Sequence, residues 1–462
     1  MKRRYLVDAI VAVAAIVCGL TAFRAFRMGV PVNDAWLFPT VVLIPALLAL
    51  GFGLSFLATP ATRLNIVLLA ASVSAGLYGV EAVLQVVQPA RPLSREEVAL
   101  KAGRPWDTRD KADVALDLRT KGITDAGMIL PATALRASSD RGGANVHVGG
   151  RFIVPLANLA NRTLVNCNES GTYAIFDSDE HGFNNPRGIW SEPIDVVIIG
   201  DSFVVGSCVD PGDNTVSLVR QHGVRVAGAA VVGFGPLSEL GILKEYVAPV
   251  KPRDVLWFYY EWNDLHEMNG ELRVPELAHY LEPDYSQGLL EKQAAIDAQL
   301  AAFIDRQLEA HAARPPRPAT PQDESRSARE VLAEWVRLFR LRHTLGLAEI
   351  SDRVGNCCDI DAFRKVLTEA DRTVGTWGGR LHLVYLPAAV RYYSPPSAVI
   401  NDAMRQRRRI IGIAQDLAIP VIDMDSAFHE HGDATAMYHD FRSHFSAEGY
   451  RVIAEAVVRH MK

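Results

Sequence analysis

An α/β fold on a parallel sheet, carried behind an N-terminal membrane anchor, is what this sequence predicts, and three observations predict it. From Asp195 onward, short continuous apolar runs alternate with helix-like segments. Apolar runs bare on neither side imply strands buried on both faces, hence a parallel sheet covered by helices. The first 90 residues hold three long apolar stretches. The charge is also divided: that front carries six basic and three acidic residues, leaving 42 basic against 50 acidic behind it.

The front comes first in the chain. Runs at roughly 5–23, 36–58 and 64–87 each approach the ~20 residues a helix needs to cross a ~30 Å hydrocarbon layer. A cleavable signal peptide competes for the first run, but its apolar core is long and no small-x-small site follows it. Buried core helices are the bland alternative for all three. Lys2, Arg3 and Arg4 before the first run and Arg63 after the second favour a cytoplasmic N-terminus, against Arg24 and Arg27 on the other side. Three passes would place the rest outside the cytoplasm. Glu81 falls inside the third run, where acids are often functional, but it stands close enough to the end of the run to reach water, which is the plainer reading. An overall hydrophobic content of 49% is explained by this front. The acidic body argues against a nucleic-acid partner, which needs a basic face.

The expected organisation is an anchor over 1–88, an extracytoplasmic stalk and cap over 89–178, and the α/β domain over 179–462, interrupted by a helical insertion at about 265–376. An insertion of that size between strands usually forms a lid or binding surface. Strands are expected at 196–199, 224–230, 255–260, 381–386 and 420–423, and helices at 214–222, 236–246, 398–417 and 447–459. Five cysteines suit an exported body. Cys167 and Cys208 flank the first strand, and an oxidising compartment permits a bridge between them, although connectivity is not readable from sequence. No CxxC or histidine-rich spacing points to a metal, and no cofactor is implied.

In an open parallel sheet, chemistry collects at the carboxyl ends of strands. The stretch "DVVIIGDSFVVG" delivers Ser202 at such an end, directly before a helix whose N–H groups favour developing negative charge. An isolated Gly-Asp-Ser is weak evidence, because Asp and Ser also cap helices. A serine nucleophile needs a base, an acid to orient it, and oxyanion donors. "YHDFRSHFSAEGY" offers Asp440 and His444 in a loop before the last helix; a loop ion pair is the plain alternative. "VVGFGP" ends the second strand with Gly233, able to bring a bare N–H near a ligand. "WFYYEWNDL" ends the third with Asn263, whose amide can donate to an oxyanion or merely cap a turn. Arg442 is a candidate contact for an anionic substrate or a structural pair. Of Phe258, Tyr259, Tyr260 and Trp262, alternation assigns two to the core and leaves the others available to a sugar ring.

Taken in the order Ser, Gly, Asn, Asp–His, the four blocks "GDSF", "GFGP", "EWND" and Asp440 with His444 resemble the SGNH (GDSL-type) hydrolase family, of the membrane-anchored bacterial envelope kind. The match runs from "DEHGFNNPRG" at Asp179 to the C-terminus, apart from the insertion. Two departures stand out. Glu261 occupies the place of the usual glycine two before the asparagine, and Asp440 and His444 are four apart rather than three. Nearby Asp433 and His439 are further candidates for the acid–base block, with Asp440 preferred.

The resemblance implies a three-layer, flavodoxin-like sheet and a serine esterase. Ser202 would be the nucleophile, His444 the base and Asp440 its orienting acid, with Ser202, Gly233 and Asn263 forming the oxyanion hole. The implied substrate is an acylated envelope carbohydrate, with O-acetyl the expected acyl group, or a small ester. An O-acetyltransferase that uses a membrane acyl-donor partner, and a non-catalytic envelope assembly protein, are the alternatives. The expected location is the inner membrane, with the catalytic domain on its periplasmic side.

Overall fold

The computed structural model describes residues 2–27, 39–87, 95–137, 142–314, 332, 334–344, 359–393, 398–440 and 443–461. Arg442, Cys357, Cys358 and most of the proline-rich stretch lie outside the described residues. The chain divides into two units. One comprises 1–92, 318–357 and 396–402, and the other comprises 93–317, 358–395 and 403–462.

In the first unit, α1 (Lys2–Arg27) and α3 (Pro60–Val87) contain stretches of 21 and 28 residues long and apolar enough to cross a membrane. Their leucines, valines and phenylalanines are largely exposed, including Phe23, Leu69 and Val83 at 60% or more. The expected middle span is shorter within the described residues. After an irregular turn at Pro39–Leu43 it forms α2 (Ile44–Leu54), and the apolar helix closes at Leu57. Asp8 of α1 pairs with Arg63 of α3, a guanidinium otherwise buried.

The second unit is built on one five-stranded sheet: β1 (Val196–Gly200), β2 (Val226–Ala230), β3 (Asp254–Tyr260), β4 (Arg380–Leu386) and β5 (Val421–Asp423). Every pairing is parallel, in the order β5-β4-β3-β1-β2. The strands are apolar at consecutive positions because alternate residues enter two different cores. Val197, Ile199, Trp257, Tyr259, Leu383 and Tyr385 pack with helices Pro236–Ile242 and Ile360–Gly375 on one face. Val196, Ile198, Leu256, Phe258, Val384 and Leu386 pack with helices Thr215–Gln221 and Ala447–Met461 on the other. That is the two-residue period of a strand applied to a sheet with no solvent face.

Chain order sets where the site lies. From β1 the chain steps to one side to make β2 and returns to the other side to make β3. The crevice over β1 is therefore a topological switch point, where connections diverge and side chains at strand ends are left facing outward. The segment before the sheet contributes only strands of two or three residues, at Gly127–Met128, Thr163–Val165 and Ile175–Asp177, with two more in a hairpin. Its Leu135, Val154, Leu156 and Phe183 are buried in the same core as one face of the main sheet. From the insertion, Leu289–Ala312 forms a 24-residue helix whose Leu289, Leu300 and Ile304 join that core.

Candidate active site

β1 ends at Gly200, where a side chain could not fit: a Cβ would stand 2.7 Å from Val204 and 3.2 Å from Phe258. Asp201 turns the chain and caps the short helix Ser202–Val205, its Oδ1 accepting the Phe203 N–H at 3.0 Å. Its Oδ2 accepts from the Asn263 side-chain amide at 3.1 Å. Burial pushes the Asp201 carboxyl up, opposed by these donors and by His444. The turn leaves Ser202 in the first turn of the helix, 5% exposed, with its Oγ 2.9 Å from His444 Nε2. The two are 242 residues apart in the chain and within hydrogen-bond reach in space.

The carboxylate at the other side of the imidazole is Glu169, where Asp440 was expected. Glu169 Oε1 lies 3.2 Å from His444 Nδ1, and its Oε2 accepts the His444 backbone N–H at 2.8 Å. Arg95 reaches the same carboxylate at 2.8 Å. Burial pushes the Glu169 carboxyl up, but the His444 ring and N–H and the Arg95 guanidinium outweigh it and hold it down to about 2. Asp440 is held elsewhere. Its own N–H donates to Ser443 Oγ at 2.7 Å, closing a turn, and both its oxygens take the far side of Arg95. The extra residue between acid and histidine is spent on that turn. Asp433 caps Ala434–Met437 through the Thr435 N–H.

What brings Glu169 to the site is covalent. Cys167 and Cys208 form a disulfide with Cα atoms 5.0 Å apart, joining the Glu169 loop to the loop that follows the helix Ser202–Val205. Cys208 Sγ is 3.6 Å from His444 Nδ1. The bridge was foreseen as permitted, and its consequence was the missing signal: a residue two away from Cys167 must lie near whatever lies near Cys208. Phe203 packs against the imidazole, with ring centroids 5.0 Å apart.

Gly233 adopts φ +76°, a conformation glycine takes without strain. Its loop is clamped from the preceding segment. The Ala132 N–H donates to the Val232 carbonyl at 3.0 Å, and Arg136 Nη2 donates to the Gly233 carbonyl at 3.1 Å. Arg136 is braced in turn by Glu267 and Glu271, the latter buried and accepting the Gly235 N–H at 2.8 Å. Asn263 stands at the end of β3, ahead of helix Asp264–Glu271, with one amide hydrogen committed to Asp201. Glu261, in place of a glycine, locks the end of β3 to that of β4 by accepting from Tyr385 at 2.7 Å and the Ala388 N–H at 2.9 Å. Of the aromatics before Asn263, Phe258, Tyr259 and Tyr260 are all core, and Trp262 alone is half-buried. Alternation had left two available; the two-sided sheet takes three.

No family model matches this chain, and no curated protein matches it. Solved structures similar to it include a lipase/acylhydrolase from Enterococcus faecalis (15% identity, covering 58% of this chain and 95% of the other, TM-score 0.31). A member of the lipolytic protein G-D-S-L family from Veillonella parvula is similar at 10% identity, with 58% and 97% covered and a TM-score of 0.31. An acetylxylan esterase from Geobacillus stearothermophilus is similar at 12% identity, with 58% and 93% covered and a TM-score of 0.32. These are proteins of the kind its four blocks resemble, and at such identities and scores no chemistry is transferred from them.

Proposed function

We propose that the chain is a membrane-anchored serine esterase of SGNH type that cleaves acyl esters through Ser202, His444 and Glu169. The observation that carries this is the line of contacts from Ser202 Oγ through the His444 ring, at 2.9 Å, to Glu169, at 3.2 Å. His444 Nε2 takes the Ser202 proton as Oγ attacks the ester carbonyl. The Glu169 carboxylate keeps Nδ1 protonated and stabilises the imidazolium that forms. Its opposed environment, buried yet strongly ion-paired, keeps it charged throughout the working pH range.

The tetrahedral oxyanion is met by the backbone N–H groups of Ser202 and Gly233 and by the second amide hydrogen of Asn263. Losing one such donor typically costs ~10²–10³ in turnover. Collapse expels the alcohol, which takes the proton back from His444. Water activated by the same imidazole then releases the acyl group from Ser202. If a sugar hydroxyl replaces that water, the same groups perform O-acyl transfer. Metal chemistry is not required by any of these steps.

The site faces an extracytoplasmic compartment in this reading, and its substrates are O-acetylated envelope carbohydrates. A disulfide in the described structure suits an oxidising environment. The Asp8–Arg63 pair joins residues near the starts of α1 and α3, so the chain between them must return, which supports an up-down-up anchor of three passes. The test is hydrolysis of p-nitrophenyl acetate by the full chain in detergent. Activity that disappears in Ser202→Ala is expected; equal activity in the two proteins overturns the proposal. Acetyl transfer to an oligosaccharide in excess of hydrolysis would assign the acyltransferase instead.

A further inference from the structure

We infer that Leu332 and residues 334–344, from the middle of the insertion, lie in the membrane interface beside α3, with Leu332, Val336 and Phe339 turned to lipid. The inference rests on the reading of α3 as a membrane span. It adds a membrane contact from a segment some 250 residues further along the chain.

Glu81 leads to it. This carboxylate sits in the apolar helix α3 and is completely buried. Its Oε1 accepts the Arg340 N–H at 3.0 Å and its Oε2 accepts the Leu341 N–H at 2.8 Å. A carboxylate among apolar side chains needs such donors, because burying it unpartnered is costly. One turn earlier, the Tyr78 ring stacks on Trp335 with centroids 6.0 Å apart and planes 5° from parallel. The Tyr78 hydroxyl donates to the Val336 carbonyl at 3.1 Å. Wherever this stretch of α3 lies, residues 335–341 therefore lie with it.

Depth follows from helix geometry. At ~1.5 Å per residue the 28 residues of α3 extend ~42 Å, against a ~30 Å hydrocarbon layer. Glu81 is six residues, or ~9 Å, from the end of that helix. This places the docked segment near the boundary between acyl chains and headgroups. Its own chemistry matches that level. Leu332 and Val336 are each 63% exposed and Phe339 is 40% exposed, as are Val80 and Val83 on α3 at 45% and 61%. Trp335 sits among them, and Arg337 and Arg342 alternate with them. An aromatic and apolar face edged with arginine is the composition of interfacial segments that meet anionic headgroups.

The test uses the full chain in phospholipid nanodiscs, with p-benzoylphenylalanine replacing Leu332, Val336 or Phe339 one at a time. The same replacement at Val83 serves as the span reference. After irradiation, phospholipid adducts are measured by mass. Because all three positions are exposed, replacement there spares the fold, and an intact Cys167–Cys208 bridge with a monodisperse profile qualifies each variant. Adducts at these positions within about threefold of the Val83 yield are expected. Adducts at Val83 with only the unsubstituted background at all three positions overturn this inference alone. Background at Val83 as well overturns both it and the membrane-anchor reading.

Discussion

Replacing Glu169 by Gln removes the negative charge beside the imidazole while keeping the side chain's shape. With 3.2 Å between Oε1 and Nδ1, the pair interaction at an effective dielectric of 20 is about 5 kcal/mol once the ring is protonated. That is an upper bound on what the transition state loses, because Arg95, 2.8 Å away, draws on the same charge in both states. At ~1.4 kcal/mol per tenfold, the bound corresponds to a factor of ~10³–10⁴. The amide can also donate to Nδ1, which would leave the proton on Nε2 and block it from accepting the Ser202 hydrogen. Turnover of p-nitrophenyl acetate is therefore expected to fall by ~10²–10⁴ in Glu169→Gln, with KM changed little. Asp440→Asn, which alters a carboxylate paired with Arg95 rather than with the imidazole, is expected to cost less than about tenfold. The reverse order, with Glu169→Gln near wild type and Asp440→Asn crippled, would refute the assignment and restore the acid expected from sequence.

Other expectations follow from the same contacts. Arg136→Gln loosens the Gly233 carbonyl, so turnover should drop by ~10-fold or more, and affinity for a boronic-acid analogue should fall in step while KM holds. Reducing the Cys167–Cys208 bridge frees a loop of 41 residues, an entropic loss of about 4 kcal/mol that a denaturant melt would register as a lower midpoint. The Glu169 carboxyl is depressed on folding, from 4.5 to about 2. Its contribution to stability is thus full above that ordinary value and lost as pH falls through the window between them; Glu169→Gln should flatten the stability–pH curve there. Gly200→Ala forces a Cβ to within 2.7 Å of Val204 and should cost about 1–3 kcal/mol by thermal unfolding.

The sheet was legible because its strands are buried on both faces, and burial of that kind writes an uninterrupted apolar run such as Val196–Ile199. The placement of Ser202 and Asn263 was legible for a related reason: polar residues within three positions of the end of such a run emerge at the open end of the sheet. The place of His444 beside Ser202 was legible from the need of a serine for a neighbouring imidazole. The carboxylate beside the ring was not. Sequence proximity favoured Asp440, but Ser443 folds that loop into a turn and Arg95 collects the carboxylate. Glu169 comes from 275 residues upstream, out of a segment whose two- and three-residue strands leave no periodicity to read. The π-type turns at Pro39–Leu43 and Leu243–Val247 were equally invisible, since a local change of helix period leaves composition untouched. Glu81 is visible in the sequence as an acid inside an apolar helix, yet its distant partners, the Arg340 and Leu341 N–H groups, carry no side-chain signature.

The most direct measurement is covalent labelling of the full chain with a fluorophosphonate, followed by mapping of the modified residue. One adduct, on Ser202, is predicted, absent from Ser202→Ala and formed ~10²-fold or more slowly in His444→Ala and Glu169→Gln. An adduct on any other residue, or labelling of Ser202 at an undiminished rate without the imidazole or the glutamate, would contradict it.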